Sequence, residues 1–118
     1  TALEVAREDQ AAVAVVRMLN RDPDRTLDTF VRLQAKAAAR RLGVTEPKPK
    51  PAMLGGLPGY QLVYEGDGLL SGGRAECTTV YVRRHGRVLA LVLMVRAGAD
   101  EAVRDEVRAL RESVQFLH

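Results

Sequence analysis

Side chains that commonly carry catalysis or bind metals are few in this sequence and lie far apart along it. The two histidines are His85 and His118, and the one cysteine is Cys77. Cys77 and His85 belong to one predicted strand and its turn, where eight residues span about 25 Å, so this histidine cannot act as a base for the thiol. Two histidines and one cysteine without the spacing of a ligand set also do not form a zinc site. The sequence therefore predicts a protein that is not an enzyme and has no metal or cofactor.

Two polar stretches remain as candidates for binding an anion or a partner. The stretch GDGLLSGG (66–73) is rich in glycine, but a phosphate-binding loop is followed by a helix, and here a strand pattern follows. We interpret it as a flexible hairpin connection. The stretch RRHGR (83–87) places Arg83, Arg84 and Arg87 at the tip of a predicted hairpin. These arginines either contact a partner or only keep the tip solvated, which discourages other strands from pairing there.

The three tyrosines are the other candidates for contact with a partner. Tyr60 and Tyr64 alternate with Gln61, Val63 and Glu65 in YQLVYE (60–65), so both are expected on the same side of a strand as Leu62. Tyrosine has an apolar ring and a polar hydroxyl, which suits both a core and an interface. The candidate partner-binding residues are Tyr60, Tyr64, Tyr81, Arg83, Arg84 and Arg87.

Two amphipathic helices are predicted to position these residues. The stretch TLDTFVRLQAKAAARRLG (26–43) repeats its apolar residues with helical spacing, including Leu33 and Ala37 at the margin of the stripe. Asp24 or Thr26 can cap its beginning, and Gly43 can end it because glycine adopts a positive φ without strain. The stretch ADEAVRDEVRALRESV (99–114) predicts a second helix, whose apolar stripe is Val103, Val107, Leu110 and Val114.

The remaining segments predict strands. ALEVA (2–6) and the apolar run 11–16 suggest a pair joined by the polar turn REDQ (7–10). PKPKP (47–51) has proline at every second position and belongs at a sheet border, because proline donates no hydrogen bond. Gly55 and Gly56 are predicted to close a hairpin between this stretch and YQLVYE (60–65). The strand RVLALVLMVR (87–96) is apolar on both sides and is expected to be central. The order β-β-α-β-β-β-β-α predicts an α+β fold with a single antiparallel β-sheet and two α-helices.

Length and charge exclude several classes of protein. A chain of 118 residues suits one domain, 1–118. Its net charge of +3 is small and dispersed, which disfavours nucleic-acid binding. No apolar run approaches the ~20 residues of a membrane span. The sequence does not begin with Met and shows no signal peptide, so two locations stay open: the bacterial envelope if a signal or lipobox precedes it, and the cytoplasm otherwise.

In this order of elements, several stretches resemble the PsbP/DcrB-like superfamily. LGGLPGYQLVYEG (54–66) is similar to the family's GxPAYxLxY strand, and LRESVQF (110–116) to its closing ILxSFxF. The helix before them and the hairpin CTTVYVRRHGRVLALVLMV (77–95) match in order and spacing. The family's opening YPxGW motif is missing, so we expect that the sequence lacks the family's first strand or diverges there. The family includes envelope lipoprotein domains and adaptor chaperones of secreted effectors, and it shares no catalytic residues.

The resemblance and the lack of a catalytic set favour a non-enzymatic protein-binding or adaptor domain. It would use the sheet face or the groove between sheet and helix, and a homodimer is possible. One alternative is a small-ligand or enzymatic cleft in which Glu65, Asp67 and Glu76 lie near Arg74. Another is a structural module that dimerises through an exposed edge strand.

Overall fold

A computed structural model describes residues 2–6, 12–19, 26–70 and 73–115. Six strands and two helices follow one another in the predicted order. Their bounds are β1 Ala2–Ala6, β2 Ala12–Leu19, α1 Leu27–Leu42, β3 Lys50–Leu54, β4 Leu57–Leu70, β5 Gly73–Arg84, β6 Arg87–Arg96 and α2 Glu101–Glu112.

The strands form one antiparallel sheet in the order β1-β2-β6-β5-β4-β3. The predicted α+β class is therefore confirmed, together with the order of its elements. The doubly apolar strand β6 is central, as its sequence predicted, with β2 on one side and β5 on the other. β3 forms a border of the sheet and contains Pro51, whereas Pro47 and Pro49 of the predicted stretch 47–51 precede the strand. Proline is tolerated there because no neighbour needs its missing N–H.

The two helices pack on opposite sides of the sheet. Val31 and Ala35 of α1 share a core with Leu62 and Tyr81, whereas Val107 of α2 packs against a core that includes Val80. Consecutive residues of a strand point to opposite sides, so Val80 belongs to the core under α2 and Tyr81 to the core under α1. The names α1 side and α2 side are used below for these two faces of the sheet.

Helix α1 begins and ends at the predicted residues. The hydroxyl of Thr26 accepts a hydrogen bond from the backbone N–H of Thr29 at 3.2 Å. Gly43 ends the helix with φ of 67°, where its N–H reaches the carbonyl of Ala39. Asp24, the other candidate cap, lies outside the described residues.

The apolar stripe of α1 is narrower than its periodicity suggested. Leu33 and Ala37, which we expected to widen it, are exposed. The buried residues of this helix are Val31, Ala35 and Ala38. Two of these are alanines, so the helix approaches the sheet closely and covers only a limited width of it.

Helix α2 is capped by Asp100, whose carboxylate accepts from the N–H of Val103 at 3.1 Å. Val103 is buried, but Leu110, expected in the same stripe, is 37% exposed. Arg111 is turned toward the sheet instead, where its guanidinium donates to the Gln61 side-chain oxygen at 3.0 Å. The helix is therefore rotated so that arginine, with its long apolar stem, covers part of the sheet.

Two of the predicted connections have a defined conformation, and the third is a hairpin whose strands extend further than predicted. Gly55 and Gly56 close the β3–β4 hairpin with φ of 57° and 83°, and His85 and Gly86 close β5–β6 with φ of 52° and 74°. GDGLLSGG was expected to be a loose loop, but β4 extends through Leu70 and β5 starts at Gly73. The register shifts between Asp67 and Leu70, and such irregularities are where glycine is tolerated in strands. The predicted turn 7–10 lies outside the described residues.

Gly59 is required by close packing of the backbone. A Cβ at this position would overlap the carbonyl oxygen of Tyr81 and lie 2.9 Å from Cγ1 of Val82. We expect Gly59→Ala to lower the free energy of unfolding by about 1–3 kcal/mol, because β4 and β5 must separate locally. Urea unfolding followed by circular dichroism measures this change. Gly56→Ala is the control: its Cβ would meet nothing within 4 Å, so it tests the cost of positive φ alone. Equal stability of Gly59→Ala and the wild type would contradict the packing argument.

The turn at His85 offers a stabilising substitution. His85 adopts φ of 52°, a conformation that asparagine tolerates better than other residues with a Cβ. His85→Asn is expected to raise the free energy of unfolding by roughly 0.5 kcal/mol. His85→Val, with a branched Cβ, should lower it. Thermal unfolding of the two variants side by side decides this, and the reverse order would show that the turn conformation is not as described.

Candidate functional site: the helix–sheet groove

An open groove of about 460 Å³ lies on the α1 side, between the C-terminal half of α1 and the strands that the helix leaves uncovered. We call it the helix–sheet groove. It is lined by Arg17, Leu19, Gln34, Arg41, Leu42, Tyr64, Cys77, Thr79, Tyr81, Ala90, Val92 and Met94.

The floor of the groove follows from strand alternation. Cys77, Thr79 and Tyr81 occupy every second position of β5 and therefore point to one side. In the antiparallel register, Cys77 pairs with Met94, Thr79 with Val92 and Tyr81 with Ala90, so these residues of β6 point to the same side. Val92 and Met94 remain only partly buried. The result is a strip of apolar surface down the middle of the sheet.

Helix α1 supplies the wall and sets its position by two contacts. The rings of Phe30 and Tyr81 meet edge to face, with centroids 6.0 Å apart and planes inclined at 71°. Beyond this contact, Ala35 and Ala38 are buried and keep the helix low over β4 and β5. Because the helix is anchored there, it does not reach Val92 and Met94 of β6, which stay only partly buried.

Buried hydroxyl and thiol groups give the groove a polar interior. The Cys77 sulfur lies 3.7 Å from the Thr79 hydroxyl. The Tyr64 hydroxyl shares a hydrogen bond with Cys77, and burial together with this contact raises the Tyr64 pKa well above its usual value. Burial, with a smaller effect from Cys77, raises the pKa of Tyr81 to about 12. Both phenols therefore stay neutral near pH 7, where they can exchange hydrogen bonds with a ligand.

Two exposed arginines flank this neutral interior. Arg41 belongs to the last turn of α1 and Arg17 to β2, so they come from different elements. The positive charge of Arg41 opposes the upward pKa shift of Tyr64 and of Tyr81, and Arg17 does the same for Tyr81. The groove thus combines an apolar floor with positive charge at its margin, which favours an apolar ligand that carries a negative group.

The residues singled out from the sequence divide between two places. Tyr64 and Tyr81 line the groove, and Tyr60 packs nearby against the core beneath α1. The three arginines lie at the β5–β6 turn, where Arg83 points to the α1 side and Arg84 and Arg87 to the α2 side. An Nη atom of Arg87 lies 3.1 Å from the Met18 sulfur. None of the three lines the groove.

Several residues of the groove were not singled out from the sequence. Cys77 and Thr79 were assigned to a strand without a role, Gln34 to the stripe of the first helix and Arg41 to the last turn of that helix, and Arg17 was given no role. The alternation C-x-T-x-Y in β5 was the available signal, since it places three polar groups on one side of a central strand. Cys77, Thr79 and Tyr81 line the same groove as Arg17 and Arg41 because of the strand order and the position of α1.

The charged residues of the alternative cleft form two separate groups. Arg74 lies 3.5 Å from Glu65 and 3.6 Å from Asp67, beside a pocket of about 620 Å³ at the border of the sheet. Glu76 instead pairs with Arg104 of α2 at 3.6 Å. These ion pairs are exposed to water and contribute little stability.

The described residues show two further absences. No three His, Cys, Asp or Glu side chains within 2–6, 12–19, 26–70 and 73–115 converge as a metal site would require. Neither helix of this part of the chain is long and apolar enough to cross a bilayer. His118 lies outside the described residues.

The fold defines the molecule as a small α+β domain with an antiparallel sheet between two helices. No protein-family model and no curated protein matches the sequence. The chain is similar in structure to PA94 from Pseudomonas aeruginosa, a protein of unknown function that has been named as a candidate regulator. The TM-score is 0.71 over 100% of this chain and 83% of the other, with 15% sequence identity. At this identity the likeness shows the fold alone.

The raised pKa of Tyr81 predicts how stability depends on pH. The phenol has a higher pKa in the folded protein, about 12, than the ordinary 10.0, so its contribution is fully present below pH 10 and is lost as the pH rises toward 12. Between about pH 9 and pH 11 we expect the wild type to lose roughly 1 kcal/mol more than Tyr81→Phe. Urea unfolding at both pH values measures this difference. Parallel losses in the two proteins would contradict the buried position of the hydroxyl.

Proposed function

We propose that this domain is a non-enzymatic protein-binding or adaptor domain of the PsbP/DcrB-like type. Its ligand is an apolar segment of a partner protein that carries an acidic side chain. The helix–sheet groove is the binding site. The observation that carries the proposal is the pair Val92 and Met94 of β6, which line the groove and stay only partly buried in the middle of the sheet.

The composition of the groove supports this class of ligand. Partly exposed Val92 and Met94 gain free energy when an apolar side chain removes them from water. Methionine also adapts its shape to different ligands at low cost. Arg17 and Arg41 attract a carboxylate at the margin and would fix the orientation of the segment. The neutral phenols of Tyr64 and Tyr81 then supply hydrogen bonds without a buried charge.

Membership of the PsbP/DcrB-like superfamily remains part of the proposal. It is supported by the similarity of LGGLPGYQLVYEG (54–66) to the family strand and by the succession of elements around it. The adaptor role follows from that resemblance, and the open groove supports it.

The test uses two capped helical peptides that differ in one residue. Both carry a leucine stripe, and the first has a glutamate beside the stripe where the second has a lysine. We expect the glutamate peptide to bind the wild type and Arg41→Glu to weaken it by roughly tenfold, because attraction becomes repulsion. The same variant should bind the lysine peptide better than the wild type does. Isothermal titration calorimetry gives all four affinities.

Arg40→Glu provides the matched control. Arg40 and Arg41 belong to the same last turn of α1 and are both exposed, but only Arg41 lines the groove. The two variants change the net charge and the interaction with the helix dipole alike. Equal effects of the two substitutions would mean that binding follows overall charge, and the groove proposal would fail. Absence of peptide binding at millimolar concentration would exclude it as well.

A small apolar carboxylate is the second candidate ligand. The groove volume of about 460 Å³ lies within the range of small-molecule sites. Dodecanoate, which joins an alkyl chain to a carboxylate, is a suitable probe. If dodecanoate binds more tightly than the glutamate peptide and displaces it, the domain is a small-ligand carrier. If it does not displace the peptide, the protein-binding function stands.

A further inference from the structure

The outer border of β4 is paired over only part of its length. β3 pairs with residues Leu57 to Gln61, whereas β4 continues to Leu70. Among the described residues, no strand pairs with β4 beyond Gln61 on this border. We propose that this border binds a second, extended segment of a partner protein as an added β-strand. In that segment, lysine or arginine alternates with apolar residues.

The β5–β6 hairpin shows which backbone groups of β4 face this border. Its two-residue turn makes Arg84 and Arg87 a hydrogen-bonded pair, so even-numbered residues of β5 bond to β6 and odd-numbered residues bond to β4. Cys77 and Thr79 are opposite Tyr64 and Leu62, which therefore direct their N–H and C=O groups toward β5. Val63 and Glu65 alternate with Leu62 and Tyr64, so their N–H and C=O groups point away from β5, toward the border.

The β3–β4 hairpin leads independently to the same assignment. Gly55 and Gly56 form another two-residue turn, which makes Leu54 and Leu57 a hydrogen-bonded pair. Alternation then makes Gln61 the last residue of β4 that bonds to β3. Val63 and Glu65 are the next odd-numbered residues of β4, and their N–H and C=O groups face the same border. They lie beyond Lys50, the first residue of β3, so β3 does not pair with them. Their two N–H and two C=O groups are the row on which an added strand can form.

Space for a strand exists beside this row. The pocket of about 620 Å³ lies between residues 63–67 of β4 and residues 41–45 at the end of α1. A paired strand runs about 4.8 Å from its neighbour. Val63 is 44% exposed at this unpaired part of the border. An added strand would cover it.

The charges at the border select a basic partner. Glu65 and Asp67 point to the α2 side, where Arg74 lies 3.5 Å and 3.6 Å from them. One guanidinium between two carboxylates leaves net negative charge on that side, whereas Arg41, which also lines the pocket, belongs to α1 on the other side. Residues of the added strand that point to the α2 side would therefore be lysine or arginine. Those that point to the α1 side would meet the half-buried ring of Tyr64, which favours apolar residues.

The same charges disfavour a second copy of this chain as the occupant. Two antiparallel copies of the stretch 63–67 would place Glu65 opposite Glu65 about the symmetry axis. Like charges directly opposite each other destabilise a strand pair. The border is thus suited to a different chain of opposite charge. This inference does not rest on the function proposed for the groove, because Val63, Glu65 and Asp67 do not line the groove.

Amide hydrogen exchange of the free protein is the first test. We expect the N–H groups of Val63 and Glu65 to exchange quickly, and those of Leu62 and Tyr64, which bond to β5, to exchange slowly. Addition of a capped peptide in which lysine and valine alternate should slow Val63 and Glu65 and leave the other two unchanged. If Val63 and Glu65 are already slow without peptide, another part of the chain covers the border and the proposal is overturned.

Variants of the border provide the second test, with the affinity for the same peptide measured by fluorescence anisotropy. Val63→Pro removes one outward N–H and is expected to weaken binding by roughly tenfold, whereas Val63→Thr keeps that N–H and should bind normally. Glu65→Lys should weaken the lysine–valine peptide and strengthen a glutamate–valine peptide. This second variant leaves the backbone intact, so it decides the question even if Val63→Pro fails to fold.

Three outcomes would overturn the proposal. The first is equal affinity for the lysine–valine and glutamate–valine peptides in the wild type. The second is no change of affinity on Glu65→Lys. The third is a dimer in light scattering that Glu65→Lys abolishes, which would make this border a contact between two copies. Loss of peptide binding in the groove with border binding retained would affect only the proposed function.

Discussion

The positive φ of two residues, His85 and Gly86, fixes the geometry on which the rest of the molecule depends. This two-residue turn joins the adjacent strands β5 and β6, so it determines the register of β5 against β6 along their whole length. A shift by one residue would move Cys77, Thr79 and Tyr81 to the other side of the sheet. The floor of the groove, the contact of Tyr81 with Phe30 and the direction of the β4 backbone groups all follow from this one register.

Helix α1 adds a second constraint, because what it leaves uncovered matters as much as what it covers. Its buried face consists largely of small residues, Ala35 and Ala38, with Val31 nearer its beginning. A broad stripe of leucines would have spread the contact across the sheet and closed the surface beside it. The narrow stripe holds the helix over β4 and β5 and leaves Val92 and Met94 accessible.

Sequence patterns were sufficient for the elements of the fold, because each depends on local chemistry. One or two residues determine each of these features: the cap of α1 at Thr26, its end at Gly43, and the turns at Gly55–Gly56 and His85–Gly86. The extent of β4 was missed because glycine usually breaks a strand, whereas here the strand absorbs glycine by a shift of register near Asp67. Leu110 was misplaced because helical periodicity does not reveal which way a helix is rotated on a sheet.

The candidate site could be predicted only in part, for a different reason. Alternation placed Tyr64 beside Leu62 and put Cys77, Thr79 and Tyr81 on one side of a strand. The arginines that flank them come from β2 and α1, which are distant in sequence and meet only through the strand order. Arg83, Arg84 and Arg87 attracted attention because they are consecutive or nearly so. Side chains that act together in a sheet are more often separated by two residues or by a neighbouring strand.

The prolines and the irregularity of β4 also bear on solubility. Pro51 occupies a position of β3 whose backbone nitrogen faces outward, so that strand offers an incomplete row of donors to other molecules. Within the part of the chain that the structure describes, the unpaired part of β4 is limited by β3 at Gln61 and by the shift of register after Asp67. The regular stretch between them, 63–67, is shorter than the six or seven residues that typically stack into fibrils. The length of this border therefore matches one short added strand, and it is too short to act as a template for fibril growth.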